Sequence, residues 1–368
     1  MSTIGIVHVW YGEDGWGVID SAETPGGCWT HFSHLAIRGS RSLDPGQQVE
    51  LEWEGHGQDG FDYVARRTWP RGQDPYERPV SEAPSGAYTS TLTIRFPTLT
   101  GINRYPVKSC RGHALDAATV EPWGLAGDRR WVLVDDDGVA VTARTQPRMV
   151  LLTPGPRPDG LLVEAAGAAP LAVSFPRDRP PIDVRVFAST VAGVAAAGDA
   201  HAWFSAVLGT SVRLVYLDNP TRRHTDPRYG LDTDVVSFAD GYPVLLANEE
   251  SLGALGAQCP DPLTMTRFRP NLVVTGVPAW AEDSWRRVRV GEATFRVVKS
   301  CARCVLTTVD PETGRKGPEP LRTLARHRRW DGKTWFGVNL VPDAPGVVVR
   351  VGDPVEVVDA VETAEPLR

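Results

Sequence analysis

The chain opens in strict alternation. In IGIVHVW apolar residues recur at every second position, and in VELEWE Val49, Leu51 and Trp53 face one way while Glu50, Glu52 and Glu54 face the other. A period of two predicts half-buried strands. WGVID and CWTHF add two more short strands, set off by EDG and ETPGG turns. Five short strands in about 70 residues fit a small barrel. The pattern then stops: RGQDPYERPVSEAPSGAYTSTL, residues 71–92, has Pro, Gly, Ser and charge without apolar periodicity and reads as a linker. Residues 93–218 resume with a strand in TIRFPTLTGINRYPV, a hairpin around DDG in RRWVLVDDDGVAVTAR and a strand in MVLLTP. DAHAWFSAVLG predicts a short helix capped by Asp199 and ended by Gly209. Residues 219–360 predict strands near 244–247, 272–275, 293–300, 304–309 and 347–358, with helices over 248–257, capped by Asn248, and over 318–327. Residues 361–368 form a tail.

Composition agrees with a chain rich in strands and turns. Among 368 residues there are 36 Gly and 31 Pro, and 42% are hydrophobic, enough for more than one core. The net charge of −6 argues against a general polyanion binder. Five cysteines, Cys28, Cys110, Cys259, Cys301 and Cys304, are too few and too scattered for a disulfide framework. No run of about 18 apolar residues occurs, and the N-terminus lacks a charged n-region with an apolar core. The expectation is a cytoplasmic protein with free thiols. Only four lysines (Lys108, Lys299, Lys316, Lys333) stand against 35 arginines, which draws notice to each lysine.

VWYGEDGWGVID followed by CWTHFSHLAIRGSRSLDPGQQVE resembles a cold-shock domain, an OB-type barrel whose aromatics stack on single-stranded bases. The positions matching that role are Trp10, Trp16, Trp29, His31 and Phe32. Residues 1–70 depart from the pattern in charge: they hold four arginines, no lysine and ten carboxylates. Without a cationic groove to neutralise phosphates, nucleic-acid binding is expected to be weak or absent. The same rings serve equally as barrel filling.

KSCARCVLTTVDPETG, residues 299–314, carries a CxxC. Zinc would need further ligands that Cys110 and Cys259 are too isolated to supply. A redox pair would open a helix, whereas strand composition follows here. One soft thiolate for a metal held mainly by a cofactor remains open, as does a pair of inert buried thiols. Cationic residues recur near strand ends elsewhere: Lys108 and Ser109 in YPVKSC, Arg129 in GDRRW, Arg144 and Arg148 in VTARTQPRMV, and Arg267, Arg269 and Asn271 in RFRPN. Such residues bind phosphates by charge-assisted hydrogen bonds where they converge.

Taken in order, LTGINRYPVKSCRG, GLAGDRRWVLVDDDGVAVTARTQPRMVLL, RFRPNLVVTG, AEDSW, CARCVLTTVDPETG, FGVNL and VGDPVEV resemble the MOSC family and its N-terminal β-barrel partner domain, closest to the amidoxime-reducing subgroup. The resemblance implies a mainly β fold with α/β elements: the OB-type barrel at 1–70, then two packed β-barrel domains of the MOSC type at 93–218 and 219–360. It implies molybdenum cofactor, with Cys304 as the metal ligand and Cys301 as a neighbouring thiol. Lys108, Ser109, Arg129, Arg144, Arg148, Arg269 and Asn271 match the positions that hold the pterin and its phosphate, and Arg303 and Lys299 flank the thiols. The activity implied is two-electron reduction of the N–O bond in amidoximes, hydroxylamines and N-hydroxy bases, with Asp310 as candidate proton donor. No C-x4-C-x2-C run occurs, so electrons would come from a separate ferredoxin, flavoprotein or cytochrome. Two other readings stay open: a cofactor or sulfur carrier without turnover, and a single-stranded nucleic-acid binder acting through the first barrel.

Overall fold

The structure, a computed structural model, describes residues 2–11, 16–31, 34–37, 43–55, 61–75 and 97–361. Most of the expected linker, Phe32 and residues 362–368 lie outside this set. The chain divides into two compact units, 1–92 with 325–332, and 93–324 with 333–368.

In the first unit, Thr3–Tyr11 (β1), Trp16–Asp20 (β2), Cys28–His31 (β3), Gln48–Glu54 (β4) and Tyr63–Pro70 (β5) close into the expected five-stranded barrel. The order around it is β1-β2-β3-β5-β4, with β3 and β5 parallel. The alternation read in β4 holds: Val49 and Leu51 are fully buried beside Val7, Ile19 and Leu35, and the Trp53 ring meets Tyr63 edge-on at 5.2 Å. Trp29, matched above to base stacking, is only 7% exposed and sits edge-on to His34 at 5.7 Å. Trp10 and Trp16 are half-buried, and Trp16 packs against Tyr11 at 4.6 Å.

In the second unit, one mixed sheet dominates. Its strands run in the order Val355–Ala360, Trp285–Val290, Ala293–Arg303, Lys333–Pro342, Val244–Asn248, Leu272–Thr275, Thr98–Arg104 and His113–Leu115. The segments expected as separate domains therefore share a sheet. The 98–104 strand pairs with 272–275, and Val348–Arg350 pairs with Ala117–Glu121. The 244–248 and 272–275 strands are parallel and joined through a helix, Glu249–Gly256, whose N-terminal Glu250 N–H is capped by the Asn248 side chain as expected. Smaller antiparallel sheets complete the unit, among them one of Trp131–Val134, Arg213–Tyr216, Ser189–Ala195 and Pro181–Val186.

Local expectations failed where side-chain and backbone hydrogen bonds compete with strand pairing. Residues 304–309 do not form a strand: Val305–Thr308 is a 3-10 turn. Thr307 and Thr308 donate their hydroxyls to the Cys304 and Val305 carbonyls at 3.0 and 2.8 Å, which β-branching alone does not reveal. Pro147 likewise starts a 3-10 turn over Pro147–Leu151, and the following strand is Thr153–Arg157. The single strand expected over 347–358 is two, parted by Gly352 at φ +96°. The helix cap expected at Asp199 is Ala197, with Asp199 in the first turn of Gly198–Leu208.

Glu282, from the AEDSW stretch, is wholly buried, accepting from Ser251 Oγ at 2.8 Å and from Asn248 Nδ2 at 3.1 Å. Burial, with Asp283 beside it, pushes its carboxyl up from 4.5 to about 7. The folded state thus holds this proton where the unfolded chain has released it, so stability falls as pH rises from about 4.5 to 7. Glu282→Gln is expected to raise the melting temperature by a few degrees at pH 7.5, for a gain of about 1–3 kcal/mol, and to give no gain at pH 4.5. Thermal denaturation of both proteins across that range checks this.

Candidate functional site

Antiparallel pairing of 98–104 with 272–275 lays the loop after the first strand beside the loop before the second. The Asn103 N–H donates to the Asn271 carbonyl at 2.8 Å. The Asn271 side chain then ties three segments. Its Oδ1 accepts from Leu245 N–H and from Arg129 Nη1, each at 3.2 Å, and its Nδ2 donates to the Asn103 carbonyl at 3.1 Å. Asn271 is 1% exposed, so its amide is mainly committed to the protein.

Arg129 and Arg269 pack on one aromatic ring, with their guanidinium carbons 4.4 and 4.3 Å from the Tyr105 centroid. Bringing two cations so close is offset by the buried Asp128, whose carboxylate accepts from Arg129 Nη1 at 2.5 Å and from the Tyr105 N–H at 2.8 Å. Ser109, Arg129 and Arg269 have φ of +69°, +46° and +56°. Each left-handed residue with a Cβ costs roughly 1–2 kcal/mol, and strain of this kind collects at functional sites.

Lys108 is 4% exposed and bridges to Asp240, while its Nζ also donates to the Phe238 carbonyl at 2.8 Å. Desolvation lowers its pKa from 10.5 to about 8 against the opposing pull of Asp240. Desolvation would raise the Asp240 carboxyl, but Lys108 and Arg144 more than reverse this and hold it well below the usual carboxylate range. The loop bearing Asp240 is fixed from beneath by buried Arg223, which donates to the carbonyls of Ser237, of Ala239 at 2.6 Å and of Asp240 at 3.1 Å.

The CxxC lies at the end of the 293–303 strand, and each thiol has its own guanidinium. Arg303 Nη1 donates to Cys301 Sγ at 2.8 Å, and Arg144 Nε donates to Cys304 Sγ at 3.2 Å while its Nη2 meets Asp240 Oδ2 at 3.0 Å. Arg303 also donates to the Phe268 carbonyl at 2.6 Å, and the Phe268 ring stacks on Phe336 at 3.9 Å. Burial raises the Cys301 thiol.

Both cysteines open into one cleft of about 100 Å³, lined also by Lys108, Ser109, Arg129, Asp240, Arg269, Asn271 and Arg303. Of the residues singled out from sequence, Arg148 is exposed and does not line it. Nor does Asp310, which anchors a turn: its Oδ1 accepts from Glu312 and Thr313 N–H, and its Oδ2 meets Arg267 Nη2 at 2.7 Å. Burial would raise its pKa, but the turn's donors and Arg267 lower it on balance, so this carboxyl is no proton reservoir at neutral pH. Asp128, Tyr105, Asp240, Tyr242 and Arg223 were missed. GDRRW and FADGYP held the two carboxylates in plain view, but nothing local tells the partner of a buried cation from a turn residue.

Residues 96–211 match the MOSC N-terminal beta barrel domain family, and residues 233–356 match the MOSC domain family. Mitochondrial amidoxime-reducing component 1 of Mus musculus is 36% identical over 272 residues, 68% of this chain and 79% of the relative. Component 2 of Rattus norvegicus is 35% identical over 274 residues, 68% of this chain and 80% of the relative. Component 1 of Homo sapiens is 34% identical over 270 residues, 68% and 80%. The chain belongs to the MOSC-domain family of the amidoxime-reducing components. The matched regions contain every cleft-lining residue named above, and the first barrel lies outside both. No helix among the described residues is long and apolar enough to cross a membrane.

The cleft charge yields a pH test. Lys108 loses its proton near pH 8, so the attraction of the cleft for an anion weakens as pH rises through that value. Sulfate, whose own charge is constant there, is expected to bind about tenfold more weakly at pH 9 than at pH 7, and Lys108→Met to remove that dependence. Isothermal titration calorimetry at the two pH values measures it.

Proposed function

We propose that this protein reduces N-hydroxylated compounds, amidoximes, hydroxylamines or N-hydroxy bases, with molybdenum cofactor held in the Cys304 cleft. The observation that carries the reading is a thiol opening into a cleft whose buried cations are not all satisfied. Arg269 Nη2 and Arg303 Nε are buried without a hydrogen-bond partner, beside Lys108 and Arg129. Unpaired buried donors are costly, and an anionic, many-acceptor ligand would complete them. Among the described residues no group of three or more His, Cys, Asp or Glu could hold a metal ion. A metal here would rest on one protein thiolate and a cofactor's own donors, which suits a soft transition centre.

In this reading Lys108, Ser109, Arg129 and Arg269 hold the cofactor's phosphate and pterin. Asn271 keeps their loops in register, and Cys304 ligates the metal. When bound, the cofactor supplies two electrons and the site at which the N–O bond is cleaved. The chain does the rest. Arg144 aligns the Cys304 sulfur from one side, Asp240 holds Arg144 and Lys108 in place, and Arg303 keeps Cys301 apart as a thiol. Tyr242 lines the same cleft, and its buried hydroxyl has no partner, which makes it a better candidate than Asp310 to hold a proton near the substrate. Electrons arrive from a separate ferredoxin, flavoprotein or cytochrome. The relatives' names, amidoxime-reducing components, support the substrate class. The acidic composition of the first barrel supports a role other than nucleic-acid binding.

Metal analysis of purified protein together with a benzamidoxime reduction assay tests the reading. Cys304→Ala is expected to lose at least 100-fold in turnover along with the bound molybdenum, and Cys301→Ala to keep most of both. Equal loss in the two variants would remove Cys304 from its assigned role.

A further inference from the structure

A hairpin tip at the rim of the cleft carries an unusual residue. Pro181–Val186 and Ser189–Ala195 are antiparallel, and their last pair is Val186 with Ser189, so Phe187 and Ala188 form a two-residue turn. Phe187 has φ of +53°. Tight turns of this length favour Gly, Asn or Asp at such a position, because a Cβ is strained there. A phenylalanine that is also 55% exposed gains little burial in return. Neither turn chemistry nor core packing accounts for the choice.

What the ring touches does. The Arg144 guanidinium carbon lies 4.6 Å from the Phe187 centroid, and Lys108 Nζ lies 5.5 Å away. Arg144 is the residue that donates to Cys304 Sγ and to Asp240. The ring is therefore one guanidinium removed from the thiol. Cations occupy part of its surface, and much of the rest is open to water. Small-molecule sites commonly join an apolar wall to a few polar groups that orient the reacting end. Here the cleft carries several cations, and Phe187 sets a large exposed apolar side chain beside Lys108, one of its lining residues. A flat face held in a fixed orientation pairs best with another flat face.

We propose that the exposed face of Phe187 is a substrate subsite, which stacks the aryl or heteroaryl body of an N-hydroxylated compound while its N–O end points to Cys304. The assignment of the N–O end rests on the reductase reading; the aromatic subsite rests on the geometry of the rim. It makes Phe187 a specificity-determining residue that favours aryl over small alkyl substrates.

Phe187→Gly removes the ring and suits the turn, so the variant should fold, and Phe187→Trp keeps a flat face. With molybdenum-loaded protein, the KM ratio of benzamidoxime to acetamidoxime is expected to rise about five- to tenfold in Phe187→Gly and to stay near wild type in Phe187→Trp. An unchanged ratio in Phe187→Gly, with benzamidoxime still reduced, overturns the subsite and leaves the reductase reading standing. Saturation-transfer NMR with neutral benzamide gives a readout free of turnover: binding is expected in wild type and at least fivefold weaker in Phe187→Gly. Phe187-dependent benzamide binding in a protein that reduces no amidoxime supports the subsite and sinks the reductase reading. No benzamide binding to wild type overturns the subsite.

Discussion

The pairing of the 98–104 strand with the 272–275 strand is the constraint on which the rest of the second unit depends. It joins the first of the two family-matched segments to the sheet of the second, and it sets Asn103 against Asn271. Once Asn271 is in place, its buried amide reaches Leu245, Arg129 and Asn103 together. Three loops are then fixed in one register by its hydrogen bonds. A functional site built on strand ends gains its precision in this way, because the sheet determines where each loop begins.

The cleft is an arrangement of cations held closer than they would choose. Arg129 and Arg269 share the Tyr105 ring, Lys108 is buried, and Arg303 and Arg144 each attend one thiol. Asp128 and Asp240 offset part of the repulsion, and π-faces offset another part. The balance left over is positive, with buried N–H donors unfilled. Ser109, Arg129 and Arg269 are also held in left-handed backbone there, at a cost in stability that the surrounding fold offsets.

The first barrel obeys different electrostatics. Trp29, one of the rings matched to base stacking, is buried, and the surrounding sequence is acidic. Stacking supplies roughly 1–3 kcal/mol per base, whereas backbone neutralisation supplies most of non-specific affinity.

By itself the sequence determined what is local. Alternation marked the barrel strands, Asn248 marked a helix start, and the composition excluded a disulfide scaffold. The CxxC and the clustered arginines named the ingredients of the cleft, and the order of motifs named the family. The tertiary structure decided what is non-local. Residues 103 and 271 meet only through strand pairing, so no periodicity forecast that 93–218 and 219–360 would share a sheet. Asp128 and Asp240 look like turn residues until the fold shows which cations they neutralise. Arg148 and Asp310 looked like site residues until their directions were set by the fold. The 304–309 run read as strand because β-branched residues favour pleated surfaces; threonine hydroxyls bonded to nearby carbonyls made it a 3-10 turn. Propensity records what a residue tolerates, whereas charge pairing and hydrogen bonding depend on which partner the fold brings within about 3 Å.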